Sequence, residues 1–104
     1  MYRKGDKSVA AALLNQVRRR NYPDGSPSLY KLDGSQLTDQ EMLDEWGRGF
    51  IGENRRRTDL IRWGVFNTGT WWDKKPDGDI HTEIFPLGRD ILNVNPQLKQ
   101  NPGY

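Results

Sequence analysis

The sequence contains no cysteine and only one histidine among its 104 residues. The missing thiols exclude disulfides, and a single imidazole without cysteine excludes the usual zinc sites. Only 34% of the residues are hydrophobic, and the mean hydropathy is −0.93. A small chain with so little apolar surface has difficulty offsetting the conformational entropy that is lost on folding. We therefore expect the chain to rest on a further surface, either a partner or the remainder of a larger domain.

Long apolar runs are also missing. No segment approaches the roughly 20 apolar residues that a membrane-spanning helix needs. The first six residues, Met1 to Asp6, lack the apolar core of a secretory signal. Within the residues given, we recognise neither a signal peptide nor a lipobox cysteine.

Neither sign of charge is in large excess. Sixteen Lys and Arg oppose fourteen Asp and Glu, which gives a formal net charge of +2. The dense basic patches are two runs, Arg18–Arg20 and Arg55–Arg57. Because cations suit helix C-termini and pair with nearby carboxylates, both runs have a structural explanation. No nucleic-acid-binding motif accompanies them, so we expect no nucleic-acid partner.

Residues for catalysis are sparse. His81 is the only imidazole that could serve a nucleophile, and it lies in the polar segment Asp79–Glu83. No EF-hand spacing is present, and nothing singles out two carboxylates for glycoside cleavage. We therefore predict that the chain is not an enzyme, with no catalytic residue, no metal site and no cofactor.

What the sequence does contain is helical periodicity. Asp6 is a suitable N-cap for a first helix over residues 7–20. Within it, Val9, Leu13 and Val17 recur at four-residue spacing and form an apolar stripe. We expect this stripe to require a neighbouring surface.

A second helix is predicted over residues 38–52. Thr38 and Glu41 have the spacing of a capping box, in which the two side chains satisfy backbone N–H groups of the first turn. Apolar side chains recur every four residues from Met42 to Phe50 and mark the buried face. Glycines in the second half weaken the later turns by about 1 kcal/mol each relative to Ala.

A third helix is predicted over residues 56–63, with Gly64 placed to end it. Asp59 has helical spacing to Arg62 and to the preceding arginine run, so an ion pair is expected. We assign Asp59, Arg62 and Trp63 a structural role. Because the rest of the chain is rich in turn-forming residues, the predicted fold class is mainly α, with long loops and little or no sheet.

The adjacent side chains of Trp71 and Trp72 are the feature that points to a ligand. Indole rings in a loop flanked by Asp and Lys suit stacking on sugar rings. In the alternative interpretation, at least one of the two rings fills a gap between loop and helices, because so polar a chain needs its large apolar groups inside. Both tryptophans are candidate ligand-binding residues.

Three segments of the chain form a set. Leu14–Arg20 reads L-N-Q-V-R-R-R, and Phe50–Gly64 carries E-N-R-R-R-T-D-L-I-R-W-G. The chain closes with F-P-L at Phe85–Leu87 and with N-P-Q-L-K-Q-N-P-G-Y at Asn95–Tyr104. In this order, the segments resemble the L-N-x-V-R-x-R helix, the E-G-x-R-x-x-D-L-x-R-W-G segment and the P-I-P … N-P-x-L-x-Q-N-P-G-Y terminus of the SusD/RagB family.

The resemblance implies a SusD-like fold with tetratricopeptide-like helix pairs, of which residues 1–104 would be the C-terminal part and an incomplete domain. It also implies a surface-facing lipoprotein of the cell outer membrane. Such a protein binds an oligosaccharide or other nutrient and passes it to a SusC-like TonB-dependent transporter. No ligand contact of the family is carried onto a residue of this chain.

The competing interpretation is a free-standing helical protein-interaction module with no glycan binding of its own. Its basis is the apolar helix faces, which two short helices cover only in part. The same faces predict self-association of the isolated chain.

Overall fold

The computed structural model describes residues 1–104, and its regular structure is helical. The regular elements are four α-helices and two 3₁₀ turns. The helices are α1 (Lys7–Arg18), α2 (Asp39–Gly49), α3 (Arg56–Arg62) and α4 (Arg89–Val94), and the turns are Tyr2–Lys4 and His81–Glu83. Pairing of the β type is limited to an isolated bridge between Trp71 and Lys74. The prediction of a mainly α chain with long loops and little or no sheet is confirmed.

The chain divides into two compact units, Met1–Gly49 and Phe50–Tyr104. The buried hydrophobic residues all belong to the first unit: Ala10, Ala11, Tyr30, Leu37, Met42 and Leu43. In the second unit the buried residues are polar, namely Asp59 and Asn67. The most deeply buried side chains of the second unit are therefore polar, and its large apolar side chains are at most half-buried. None of the helices has the length and apolarity that crossing a membrane requires.

Helix α1 begins where the sequence predicts. The Asp6 carboxylate accepts a hydrogen bond from the Val9 N–H at 3.2 Å, as an N-cap should. The helix ends at Arg18 instead of Arg20, because the Arg20 N–H bonds to the Val17 carbonyl at 3.2 Å in a tighter turn. Such tightening of the last turn is common at helix C-termini.

The predicted apolar stripe of α1 is present and is partly exposed. Val9, Leu13 and Val17 are 39%, 46% and 52% exposed. The buried side of the helix is a different one, which carries Ala11 and Asn15. Helix α1 thus has one face packed within the first unit and a second apolar face that remains open to solvent.

Helix α2 has the Thr38 half of its predicted capping box, whereas the Glu41 carboxylate accepts from Tyr30 and Arg48 instead of the Thr38 N–H. The Thr38 hydroxyl accepts a hydrogen bond from the Glu41 N–H at 3.1 Å, and Met42 is buried. The helix ends at Gly49, three residues before the predicted end. Glycine costs helical stability because it loses the most backbone freedom, and Gly52 lies at φ 80°, outside the helical region.

Helix α3 spans Arg56–Arg62, one residue shorter than predicted. Trp63 is its C-cap, and Gly64 adopts a left-handed conformation with φ 71°, which ends the helix as predicted. Asn54 precedes the helix with φ 57°, a conformation that Asn tolerates better than most residues.

Candidate ligand-binding surface

The two adjacent tryptophans lie on a tight turn of the second unit. The Trp71 N–H donates to the Lys74 carbonyl at 3.0 Å, and the Lys74 N–H donates to the Trp71 carbonyl at 3.2 Å. The Lys74 ammonium lies 3.1 Å from the Asp77 carboxylate. The Asp77 N–H in turn donates to the Asn67 carbonyl at 2.8 Å. We refer to residues 71–77 as the tryptophan turn. Hydrogen bonds hold its backbone both across the turn and at its base.

The structure gives the two indole rings different positions. Trp71 is half-buried, and its ring lies so close to Gly69 that a Cβ atom at that position would collide with it. Trp72 is 97% exposed. One ring therefore packs against the loop, and the other projects into solvent.

Asn67 connects the tryptophan turn to the 3₁₀ turn at His81–Glu83. Its side chain is buried. The amide oxygen accepts from the Thr82 hydroxyl at 2.7 Å, and the amide nitrogen donates to the Glu83 carboxylate at 2.9 Å. Because both ends of the amide are paired, these hydrogen bonds offset the cost of removing Asn67 from water. Sequence reasoning missed this residue, since a lone Asn in a turn-rich segment carries no local signal.

Arg57 holds the other side of the same segment. Its guanidinium lies 4.2 Å from the ring centroid of Phe85 and 5.2 Å from that of Phe66. It also donates a hydrogen bond to the Thr82 carbonyl at 2.7 Å. Stacking of a guanidinium on aromatic faces is favourable and specific to arginine. The second basic run therefore supplies a structural contact at this position.

The closing motif of the sequence has a structural explanation. The Leu87 N–H donates to the Gln100 side-chain oxygen at 2.8 Å, and the Gln100 amide donates to the Leu87 carbonyl at 2.9 Å. The Asn101 amide donates to the Phe85 carbonyl at 2.7 Å. These two side chains pair with backbone groups in the way that a neighbouring strand would.

The last two residues complete this arrangement around the lone histidine. The Tyr104 hydroxyl donates to the Ile84 carbonyl at 2.9 Å. The Tyr104 ring packs edge-on against His81, with centroids 4.9 Å apart. Gly103 has φ 93° and lies against the His81 side chain, where a Cβ atom would collide. The imidazole also pairs with Asp79 through Nδ1.

In the first unit, the first basic run pairs with carboxylates. Arg18 donates to both oxygens of Glu45, at 2.8 Å from Nε and 2.7 Å from Nη2. Arg48 donates to the same carboxylate at 3.0 Å. The hydrogen bonds from Arg18, with a smaller contribution from Arg48, lower the pKa of Glu45 from 4.5 to about 2. Arg19 pairs with Asp24 at 2.6 Å. Pairing with nearby carboxylates was the structural explanation that the sequence favoured, and these contacts confirm it.

Tyr30 links this ion-pair cluster to α1. Its backbone N–H and carbonyl both bond to the side-chain amide of Asn15, each at 2.8 Å. Its hydroxyl donates to Glu41 at 2.6 Å, and its ring lies 4.1 Å from the Arg18 guanidinium. Burial, followed by the hydrogen bond to Glu41, raises the pKa of the Tyr30 hydroxyl. The donors and acceptors of this cluster face one another, so it stabilises the unit and does not form a ligand site.

The three residues predicted to be structural lie on or next to α3. Asp59 is buried, Arg62 ends the helix, and Trp63 is its half-buried C-cap. The burial of Asp59 is consistent with a structural role, and the ion pair to a helical arginine stays a prediction. No group of three or more His, Asp or Glu side chains converges as a metal ion requires.

The helical fold and the closing motif agree with the family that a comparison with known proteins identifies. Residues 1–104 match the SusD family, SusD/RagB, and the chain belongs to this family. The resemblance of the three segments is therefore confirmed.

A relative in that family is the starch-binding protein SusD of Bacteroides thetaiotaomicron. The chain is 39% identical to it over 75 residues, which cover 65% of this chain and 14% of the relative. The matched segment thus spans a small part of the length of that curated relative. The relative is named as a binding protein, in agreement with the prediction that this chain is not an enzyme.

Proposed function

We propose that the chain is part of an outer-membrane, surface-facing protein that binds a glycan and delivers it to a SusC-like TonB-dependent transporter. Membership of the SusD family over residues 1–104 carries this proposal. The starch-binding relative supports an oligosaccharide as the ligand class. In this proposal, residues 1–104 act as the C-terminal part of a larger helical domain.

Within such a protein, the chain would contribute two surfaces. The tryptophan turn presents an exposed indole to solvent. The open face of α1 presents Val9, Leu13 and Val17, which the remainder of a helical domain would cover. A helix with two apolar faces is typical of an element packed between two neighbours.

The glycan part of the proposal is tested by affinity electrophoresis. The chain is run through native gels cast with soluble starch, and through gels with other polysaccharides, beside a non-binding protein of similar size. We expect at least one polysaccharide to retard the chain relative to the control. Equal mobility in all gels would contradict glycan binding by this chain.

The delivery part requires a separate measurement. The chain, tagged and immobilised, is incubated with detergent-solubilised outer membranes, and bound proteins are identified by mass spectrometry. We expect a TonB-dependent transporter to be enriched over a control resin that carries an unrelated helical protein. Absence of any such transporter among the bound proteins would contradict the proposed partnership.

The exposed stripe of α1 also favours a second candidate function, that of a helical protein-interaction module. Leu13 is 46% exposed at the centre of the stripe. Replacing Leu13 with Lys would then abolish partner binding, whereas glycan binding would be absent in both forms of the chain. If a polysaccharide retards the Leu13→Lys chain, the chain binds glycan. Protein interaction would then not be its sole function.

A further inference from the structure

We infer that Trp72 is the stacking platform of a carbohydrate site in the second unit, with a hexopyranose ring as its ligand. This inference rests on the proposed function and assigns one residue to it. Trp71 packs beneath the turn and does not stack on the sugar. The argument depends on the exposure of Trp72, on its surroundings and on the fixed backbone that carries it.

The exposure of Trp72 requires an explanation. The chain has few hydrophobic residues, and Trp46, Trp63 and Trp71 are all at least partly buried. Trp72, in contrast, is 97% exposed. Large aromatic side chains normally supply much of the buried surface of a protein. An indole that contributes nothing to burial, in a chain that is short of buried apolar surface, is expected to contact something else.

The sequence that follows Trp72 favours a sugar over a protein partner. The residues that follow it, 73–79, have no apolar side chain apart from Pro76. Protein-binding surfaces are usually contiguous apolar patches of several hundred Å². A single indole face has the size of one pyranose ring, which presents an apolar C–H face to it. The exposed carboxylate of Asp73 and the ammonium of Lys75 are suitable partners for the ring hydroxyls.

The backbone that carries Trp72 is already fixed. The two hydrogen bonds between Trp71 and Lys74 close the turn, and the Asp77 N–H ties it to the backbone carbonyl of Asn67. Asn67 is held in turn by Thr82 at 2.7 Å. Ordering a flexible loop on binding costs free energy, so a turn that is held in advance favours affinity.

Isothermal titration of the chain with maltohexaose tests the assignment. We expect Trp72→Ala to bind at least about tenfold more weakly than the unmodified chain, because it loses the stacked ring. Trp72→Phe keeps a smaller platform and should show an intermediate loss. Ile51→Ala is the matched control, because Ile51 is 85% exposed and lies far from the turn in sequence. It should bind as the unmodified chain does.

The outcomes separate this inference from the proposed function. If the chain binds maltohexaose and Trp72→Ala binds equally well, the Trp72 site is wrong and glycan binding stands. If the unmodified chain binds neither maltohexaose nor any polysaccharide in the gels, both fail. Far-UV circular dichroism of Trp72→Ala should match the unmodified chain, since the ring packs against nothing. A loss of helix in that variant would also overturn the inference, because it would assign the ring a structural role.

Discussion

The Arg18–Glu45 pair predicts a loss of stability in acid that one substitution should remove. The Glu45 carboxylate accepts hydrogen bonds from Arg18 at 2.7 and 2.8 Å and from Arg48 at 3.0 Å. These bonds lower its pKa from 4.5 to about 2. Because the pKa in the folded chain lies below that in the unfolded chain, the stabilisation is complete above pH 4.5 and is lost as the pH falls toward 2.

The size of this contribution follows from the pKa difference. A lowering from 4.5 to about 2 corresponds to at most about 3 kcal/mol. The side chain of Arg48 is 51% exposed, so solvent screens its share of the interaction. We therefore expect about 1–2 kcal/mol from the Glu45 carboxylate.

The assay is urea unfolding followed by far-UV circular dichroism at one protein concentration, at pH 7 and at pH 3. Glu45→Gln should be about 1–2 kcal/mol less stable than the unmodified chain at pH 7, and the difference should shrink at pH 3. Asp24→Asn is the control, because it removes the exposed Arg19–Asp24 pair, which contributes little. An equal loss for both variants at pH 7, or a difference that persists unchanged at pH 3, would refute the reasoning.

Four further predictions concern other parts of the chain. Asp59→Asn should lower the melting temperature and leave maltohexaose affinity unchanged; a large affinity loss at constant stability would assign Asp59 to ligand binding. Asn67→Leu leaves the Thr82 and Glu83 side chains without their partner, at about 1–3 kcal/mol, and should speed hydrogen exchange across residues 71–77 by loosening the backbone carbonyl that accepts from Asp77; unchanged exchange would show that the Asn67 side chain does not support the turn. Gly103→Ala places a Cβ atom against His81 at a positive φ and should lower the melting temperature by several degrees in a thermal scan, which an unchanged scan would contradict. The unmodified chain should self-associate in sedimentation at low micromolar concentration and Leu13→Lys should not; a stable unmodified monomer would contradict this.

Helix positions were predictable because their signals are local. The Asp6 and Thr38 caps and the glycine at position 64 each act within a few residues of the backbone that they terminate. The ends of α1 and α2 were predicted too late, since the balance between another helical turn and a tight turn at Arg18 or Gly49 depends on small differences in free energy.

The contacts that organise each unit were not predictable from local pattern. Arg18 and Glu45 are separated by 27 residues, and neither belongs to an apolar repeat. The Gln100–Leu87 pairing likewise joins two loops that have no periodicity. The family resemblance pointed to the closing motif without giving the reason for it, which is the set of side-chain bonds to backbone groups.

The sequence predicted the two tryptophans as the candidate site, but it did not predict which of the two rings would be exposed. One ring packs against the loop and the other projects into solvent. This difference depends on the turn that Trp71 and Lys74 close and on the space above Gly69. No spacing rule in the sequence distinguishes Trp71 from Trp72. The structure separates them by exposure.

The most direct test of the account is a titration of the ¹⁵N-labelled chain with maltohexaose, observed through the indole N–H signals. The four tryptophans give four such signals, and Trp72→Phe identifies the one from the exposed ring. We predict that this signal shifts progressively with added sugar, while those of Trp46 and Trp63 stay in place. A titration that leaves the Trp72 signal unmoved, or that moves all four equally, would contradict glycan stacking on this turn.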